Sequence, residues 1–360
     1  MRSDSLEKKT IKKISKINIK EFLREVSHEW DIYIPQNKFG GDVWFESLPK
    51  TGKDFDDSLN DMTLEDVDMV ISPKEVFFPQ LEPLFDFHEG KIIEVVESSP
   101  KFLLGVKSCD LQGILFADDF FSRNIRDFYY GNRIKERFII TIGCLQPPRP
   151  EACFCTSTHT GPFAKKGYDL QFVDTGNEYL VEVGSEKGKE FLERFNTFFI
   201  DAPDTADRRI EQIKSKASAS IRLKVNFEEA LSLMGSKDHV PEEIYRRIGE
   251  RCIYCGGCLY VCPTCTCFNI FDDAKGEQGT RFRNWDACVF SGYTREASGN
   301  NPRQDKWLRT SRRYEHKLKH DCEISGMSGC VGCGRCLSSC PVNIGMSSFI
   351  REIMEEKNEK

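Results

Sequence analysis

Apolar side chains follow two different patterns in the N-terminal half of the chain, and each pattern predicts a different element. The apolar positions in residues 19–26 fall on one helical face, which predicts an amphipathic helix ending near residue 30. Residues 101–106 and 137–142 are short, nearly continuous apolar runs, typical of strands buried on both faces. A helix is predicted between them, with Asp110 as its cap.

Further along the chain the pattern changes from strands to helices. Residues 172–173 and 179–183 flank a turn signal, so they are predicted to form a hairpin. Residues 187–250 are charged and helical in pattern, and their phenylalanines are expected to pack in the core. These elements predict an α+β or α/β fold: an N-terminal mixed α/β domain, a helical segment and a cysteine-rich C-terminal domain.

Length and composition limit the classes of function. A chain of 360 residues can form two domains. The net charge of −6 argues against a general nucleic-acid-binding protein. There is no run of about 18 apolar residues, so no membrane span is expected. Sixteen cysteines without a signal-peptide pattern indicate metal ligands in a reducing cytoplasm.

Two cysteine runs near the C-terminus have the same spacing, C-x2-C-x2-C-x3-C-P. The cysteines of the first run are Cys252, Cys255, Cys258 and Cys262. Those of the second run are Cys330, Cys333, Cys336 and Cys340. This spacing is typical of bacterial ferredoxins with two [4Fe–4S] clusters, in which the fourth cysteine of each run ligates the other cluster.

The ferredoxin pattern therefore predicts two crossed ligand sets. Cluster 1 takes Cys252, Cys255, Cys258 and Cys340, and cluster 2 takes Cys330, Cys333, Cys336 and Cys262. Zinc is the alternative, because C-x2-C pairs also bind zinc. A zinc ion, however, needs neither the third cysteine of each run nor the Cys-Pro that ends it.

Four other cysteines, Cys109, Cys144, Cys153 and Cys155, belong to the N-terminal domain. Cys109 and Cys144 each follow a predicted strand. If these strands are parallel neighbours, their carboxyl ends bring the four thiols to one edge of the sheet. The group suits a third [4Fe–4S] cluster, a zinc ion held by four cysteines, or small buried side chains without a ligand.

No glycine-rich fingerprint follows either strand, so neither a nicotinamide nor a flavin site is expected in this chain. Cys265, Cys267 and Cys288 are expected to pack around the first cluster run, and Cys322 has no companion. Residues 281–320 carry ten Lys and Arg interspersed with aromatic residues. This stretch predicts a docking face for an acidic redox partner or a solvated surface, and RNA binding is a further alternative.

The predicted domain organisation has four parts. Residues 1–16 are expected to be a mobile basic lead, and residues 17–213 the α/β domain with the third candidate site. Residues 214–250 are a linker and helical segment, with a hinge expected at 214–220. Residues 251–360 form a ferredoxin-like dicluster domain with a long insertion at 268–329.

Several motifs together resemble a known family: the iron–sulfur subunit of anaerobic sulfite reductase and the similar β subunit of cytosolic sulfhydrogenases. The likeness covers about residues 17–350. The motifs that carry it are Phe22-Leu23, residues 30–35, 109–111, Cys144, 153–155, 262–268, 285–288, 312–317 and 330–336. The basic N-terminal lead and Gly161-Pro162 are closer to the hydrogenase β type.

The resemblance implies an electron-transfer protein without a catalytic site of its own. Its expected partners are an FAD- and NAD(P)H-binding subunit and a catalytic subunit that carries sirohaem or a nickel–iron centre. No nucleic-acid partner is expected. An iron–sulfur redox sensor or RNA-associated protein, using residues 281–320, is the alternative from another functional class.

Overall fold

The computed structural model describes residues 11–50, 52–65, 68–236 and 240–358. The strands in these ranges are β1 (Lys12–Ser15), β2 (Asp31–Asn37), β3 (Val43–Ser47), β4 (Leu81–His88), β5 (Lys91–Glu94), β6 (Lys101–Val106), β7 (Arg137–Ile142), β8 (Leu170–Asp174), β9 (Glu178–Val183), β10 (Ile200–Asp201), β11 (Phe268–Lys275) and β12 (Gln278–Trp285). The α-helices are α1 (Ile19–Ser27), α2 (Lys53–Asn60), α3 (Ser108–Phe120), α4 (Phe128–Arg133), α5 (Glu186–Arg194), α6 (Ala206–Ser220), α7 (Phe227–Gly235), α8 (Glu242–Arg251), α9 (Gly257–Tyr260), α10 (Lys306–Glu315), α11 (Asp321–Ser325), α12 (Arg335–Ser338) and α13 (Met346–Asn358).

The main sheet has the strand order β10-β1-β9-β8-β7-β6-β2-β3 in the described part of the chain. Its centre is parallel, because β2, β6, β7 and β8 pair in the same direction. The outer strands are antiparallel. The predicted α/β class, the parallel pairing of β6 with β7 and the β8–β9 hairpin are confirmed.

Strand β6 is buried on both faces, as its apolar run predicts. Phe102 and Leu104 point into a core with α1 and α5, while Leu103 and Val106 point into a second core with α3. The main sheet therefore lies between two apolar layers, and its central strands end inside the molecule.

A second, smaller sheet joins distant parts of the sequence. Its order is β11-β12-β4-β5, so the hairpin from the insertion at 268–329 pairs with a hairpin from the N-terminal half. The Trp285 indole at the end of β12 donates to the Phe78 carbonyl at 3.0 Å. The insertion is thus part of the packing between the two halves.

The described end of the basic lead is ordered by the main sheet. Strand β1 pairs with β9 and β10, and the Ile14 side chain is fully buried. The expectation of a mobile lead is therefore wrong for residues 12–15, because burial of Ile14 and the strand pairing fix them. Residues 1–10 of the predicted lead lie outside the described residues.

The hinge predicted at 214–220 is wrong. These residues form the last turns of α6, and Ala217 packs with Val173 and Leu180 of the sheet. Ser, Lys and Ala are all tolerated in a helix, so the composition that suggested a hinge also permits this element. The chain leaves the α/β part only after Ser220.

Candidate metal centres

The first ferredoxin-type run begins directly after α8 and spans α9, since Cys258 lies within that helix and Cys262 follows it. Gly256 has φ +76° at the start of α9, and an added Cβ there would meet the Phe290 ring at 2.6 Å. Cys252, Cys255, Cys258 and Cys340 line one cavity with an empty volume of about 420 Å³. The structure thus brings together the four thiols predicted for cluster 1.

The second run spans α12 in the same way, since Cys336 lies within that helix and Cys340 follows it. Cys330, Cys333 and Cys336 line a cavity of about 340 Å³, and Cys262 from the first run completes the lining. The exchange of the fourth cysteine between the two runs is the arrangement that the motif predicts.

A third cavity, of about 400 Å³, lies at the carboxyl ends of the parallel strands. It is lined by Cys109 after β6, Cys144 after β7, and Cys153 and Cys155 in the loop that follows. The parallel pairing of β6 with β7 therefore places these cysteines at one edge of the sheet, as expected.

The three cavities form a row in which neighbours share lining residues. Arg313 lines the cavities of both ferredoxin-type loops. Gly332 and Cys333 line the cavity of the second loop and the N-terminal cavity. The cavity of the second loop is therefore in the middle of the row, because it shares lining residues with each of the other two.

Close backbone packing joins the N-terminal cysteines to the second loop. The Phe154 N–H donates to the Gly332 carbonyl at 2.8 Å. Gly332 has φ +65°, and an added Cβ would lie 2.7 Å from the Cys155 backbone. The Cys153–Cys155 segment and the second loop can approach this closely only because glycine occupies position 332.

A buried ion pair crosses the same junction. Arg335 donates to the two carboxylate oxygens of Asp110 at 2.6 and 2.9 Å, and both side chains are at most 3% exposed. A third Arg335 N–H donates to the Met69 carbonyl at 2.9 Å. The prediction that Asp110 caps a helix is wrong: α3 begins at Ser108, and the carboxylate faces Arg335 instead.

Burial disfavours the charged form of many of these thiols. It raises the pKa of Cys258 to about 11 and the pKa values of Cys155 and Cys333 to about 12. Ligation requires the thiolate, so the site must supply compensating positive charge or a bound cation.

Buried cationic side chains lie beside all three cavities. Arg313 lines both ferredoxin-type cavities, and Lys317 lines that of the second loop. Lys107 and Arg149 line the N-terminal cavity. The Lys107 ammonium is buried without a hydrogen-bond partner, which is the environment expected beside an anionic group. Four thiols with neighbouring cations fit an iron–sulfur cluster held by thiolates.

The sequence analysis missed a lysine that contacts the backbone after Cys262. Lys74 precedes β4 and is 2% exposed. Its ammonium donates to the carbonyls of Cys262 and Cys265 at 2.8 and 2.7 Å and lies 4.2 Å from the centroid of the Trp285 ring. No local pattern identifies Lys74, because its partners are 188 and 191 positions away.

The basic and aromatic stretch at 281–320 is partly structural. Six of its basic and aromatic side chains are buried: Arg283, Trp285, Arg309, Arg313, Tyr314 and Lys317. Arg309, for example, donates to three backbone carbonyls. The prediction of a docking or RNA-binding surface is wrong for these six side chains, because they do not reach solvent.

Two other kinds of feature are absent from the described ranges. His, Cys, Asp and Glu side chains do not gather there in groups of three that could hold a single metal ion. No helix of the described residues is long and apolar enough to cross a membrane.

Comparisons with known proteins agree with this geometry. A family model described as "4Fe-4S dicluster domain" matches residues 251–344. The sulfhydrogenase 2 subunit beta of Pyrococcus furiosus is 30% identical over 299 residues, which is 83% of this chain and 87% of that protein. The match therefore extends well beyond the ferredoxin-type runs and includes most of the α/β part. The chain belongs to the family of the sulfhydrogenase β subunits, iron–sulfur proteins with a [4Fe–4S] dicluster domain.

Proposed function

We propose that this chain is the electron-transfer subunit of a cytoplasmic multi-subunit oxidoreductase. The observation that carries the proposal is the row of three thiol-lined cavities, whose neighbours share Arg313 or Cys333. A protein that passes electrons over a distance needs redox centres close to one another, and the row supplies three places for them. The relative's name, a sulfhydrogenase subunit, supports the same role.

Each cavity would hold one [4Fe–4S] cluster. The first would use Cys252, Cys255, Cys258 and Cys340; the second Cys330, Cys333, Cys336 and Cys262; the third Cys109, Cys144, Cys153 and Cys155. Such clusters supply one-electron transfer. The protein itself holds the ligands, excludes water and places positive charge beside them through Arg313, Lys317 and Lys107.

A comparison of the three sites supports a cluster at the N-terminal cysteines over a zinc ion. Thiolates bind zinc at about 2.3 Å and must converge on one point. Cys109, Cys144, Cys153 and Cys155 instead line a cavity, as the ferredoxin-type cysteines do, and the described His, Cys, Asp and Glu side chains form no group of three that could hold a single metal ion.

Iron analysis of anaerobically purified protein, with electron paramagnetic resonance of the reduced form, tests the cluster count. Three clusters predict about twelve irons per chain and spectra with magnetic coupling between neighbouring centres. About eight irons, with zinc or no metal at the N-terminal cysteines, would contradict the third cluster.

The partners form the second part of the proposal. An FAD- and NAD(P)H-binding subunit, or ferredoxin, would exchange electrons at one end of the row, and a catalytic subunit would do so at the other. Anaerobic purification of the native complex tests this through its optical spectrum and metal content. Nickel would identify a hydrogenase-type catalytic subunit, and a sirohaem spectrum a sulfite-reductase type. A chain that purifies alone with all its iron would contradict the subunit role.

A further inference from the structure

The second sheet has one face that does not pack against the rest of the protein. Exposed and buried positions alternate at the start of β4, where Leu81 and Pro83 are exposed while Glu82 and Leu84 are buried. Alternate residues of a strand point to opposite faces of a sheet. One face of this sheet therefore packs inward, and the other, the outer face, is directed to solvent.

A row of apolar side chains crosses the middle of the outer face. Phe271 pairs with Phe282, and Phe282 pairs with Pro83, so the three residues are cross-strand neighbours. The Phe271 and Phe282 rings stack with their centroids 5.4 Å apart, and Phe271 is 40% exposed. The apolar cores of the described residues include none of the three. An exposed apolar row on a sheet face is typical of an interaction surface.

The next row of the outer face carries two aspartates. Asp273 pairs with Thr280, and Thr280 pairs with Asp86, whose carboxylate accepts from the threonine hydroxyl at 2.6 Å. Asp86 pairs in turn with Ile93 of β5, which is 65% exposed. Neither aspartate forms an ion pair within the described residues. Both carboxylates are therefore available to positive charges on another molecule.

The rows on either side restrict which molecule can cover this face. Asn269 and Asn284 lie beyond the apolar row, and Lys91 and Lys275 lie beyond the aspartates, near the hairpin ends. In a two-fold contact of two copies with their apolar rows superposed, the aspartates of one copy would face the asparagines or the aspartates of the other. Neither arrangement neutralises the carboxylates, so the charge pattern favours a different protein over a second copy.

We propose that the outer face of the second sheet is the docking surface for another subunit of the oxidoreductase. The surface of that subunit carries an apolar strip that covers Phe271, Phe282 and Pro83, and beside it Lys or Arg side chains that face Asp86 and Asp273. This inference rests on the proposed function, because it requires a complex of several subunits.

Substitutions introduced into the native host test the surface. Phe271→Asp places a charge in the apolar row and should reduce anaerobic co-purification of the other subunits at least about tenfold. Ile93→Asp changes the exposed edge strand without touching the aromatic pair and should also reduce it. Ile125→Asp is the matched control, because Ile125 is 88% exposed and lies outside this sheet. Retention of the subunits by both sheet variants, or an equal loss in the control, would overturn the proposal.

Photo-cross-linking identifies the molecule that covers the face. A benzoylphenylalanine introduced at position 271 of the native complex should cross-link to another subunit, in a segment that contains Lys or Arg. A cross-link to a second copy of this chain, or none in the intact complex, would exclude the proposed occupant.

Salt dependence tests the role of the carboxylates. The double variant Asp86→Asn, Asp273→Asn should weaken the complex several-fold at low salt and make its dissociation less sensitive to added salt. Unchanged salt dependence would contradict a basic partner surface. A chain that purifies alone with all its iron would contradict the subunit role and the docking surface together, whereas a complex that withstands all these substitutions would contradict the docking surface alone.

Discussion

The two ferredoxin-type loops and the N-terminal cysteine site bring four thiols together by different means. In each loop three cysteines lie within seven residues, and glycines such as Gly256 permit the tight backbone. The N-terminal thiols come from positions up to 46 residues apart, and the parallel strands β6 and β7 bring them together. The loop geometry is local, whereas the N-terminal site depends on the whole sheet.

This difference has a consequence for stability. The N-terminal cavity is closed by contacts with the second loop, namely the Asp110–Arg335 ion pair and the approach of Gly332 to Cys155. A substitution that weakens this junction should therefore destabilise the N-terminal site and the second loop together. The first loop should be affected less, because the second loop lies between it and the junction.

The largest effect is expected from loss of a ligand, and it compares the two kinds of site directly. Cys258→Ser and Cys109→Ser should each lower the iron content by about four per chain, because a cluster held by three thiolates is labile. Iron analysis and electron paramagnetic resonance measure the loss, and Cys322→Ser should keep its iron. An unchanged iron content in Cys109→Ser alone would mean that the N-terminal thiols are structural.

A smaller effect is expected from breaking the buried ion pair at the junction. Asp110→Asn leaves the Arg335 guanidinium buried without its counter-charge, which should lower the free energy of unfolding by about 3–5 kcal/mol. Anaerobic urea unfolding followed by circular dichroism measures this loss. Glu229→Gln removes the exposed partner of Lys357 and should change stability by less than about 1 kcal/mol. Equal losses in the two variants would argue against a junction role for the pair.

The smallest effect comes from two glycines with the same backbone angle. Gly332 and Gly276 both have φ +65°, but only at Gly332 would a Cβ meet backbone, 2.7 Å away. Gly276→Ala should cost about 1 kcal/mol for the left-handed conformation alone, and Gly332→Ala about 2–3 kcal/mol, since the clash is added. Urea unfolding of both variants separates the cost of the left-handed conformation from the cost of the clash. The same loss of unfolding free energy in both variants would show that the second loop can move away from Cys155.

The sequence allowed the local part of this architecture to be predicted. Spacing alone grouped Cys252, Cys255 and Cys258, and apolar runs located β6 and β7. Which side chains place positive charge around the thiols could not be predicted, because Lys74 and Arg335 act on residues that are distant along the chain. Residues 281–320 were misjudged because a buried arginine that binds backbone carbonyls has the same sequence pattern as an exposed one.

The second sheet has a consequence for how the chain folds during synthesis. Strand β4 pairs with β12, whose residues follow it by about 190 positions, since His88 faces Gln278. At a synthesis rate of about 5–20 residues per second, the edge of β4 stays unpaired for roughly 10–40 seconds until β12 has left the ribosome. A fragment that ends before residue 268 would keep this edge exposed and be prone to aggregation. Each of the three cysteine-lined cavities is lined in part by residues from 330–340, so its lining is complete only once that segment has been synthesised.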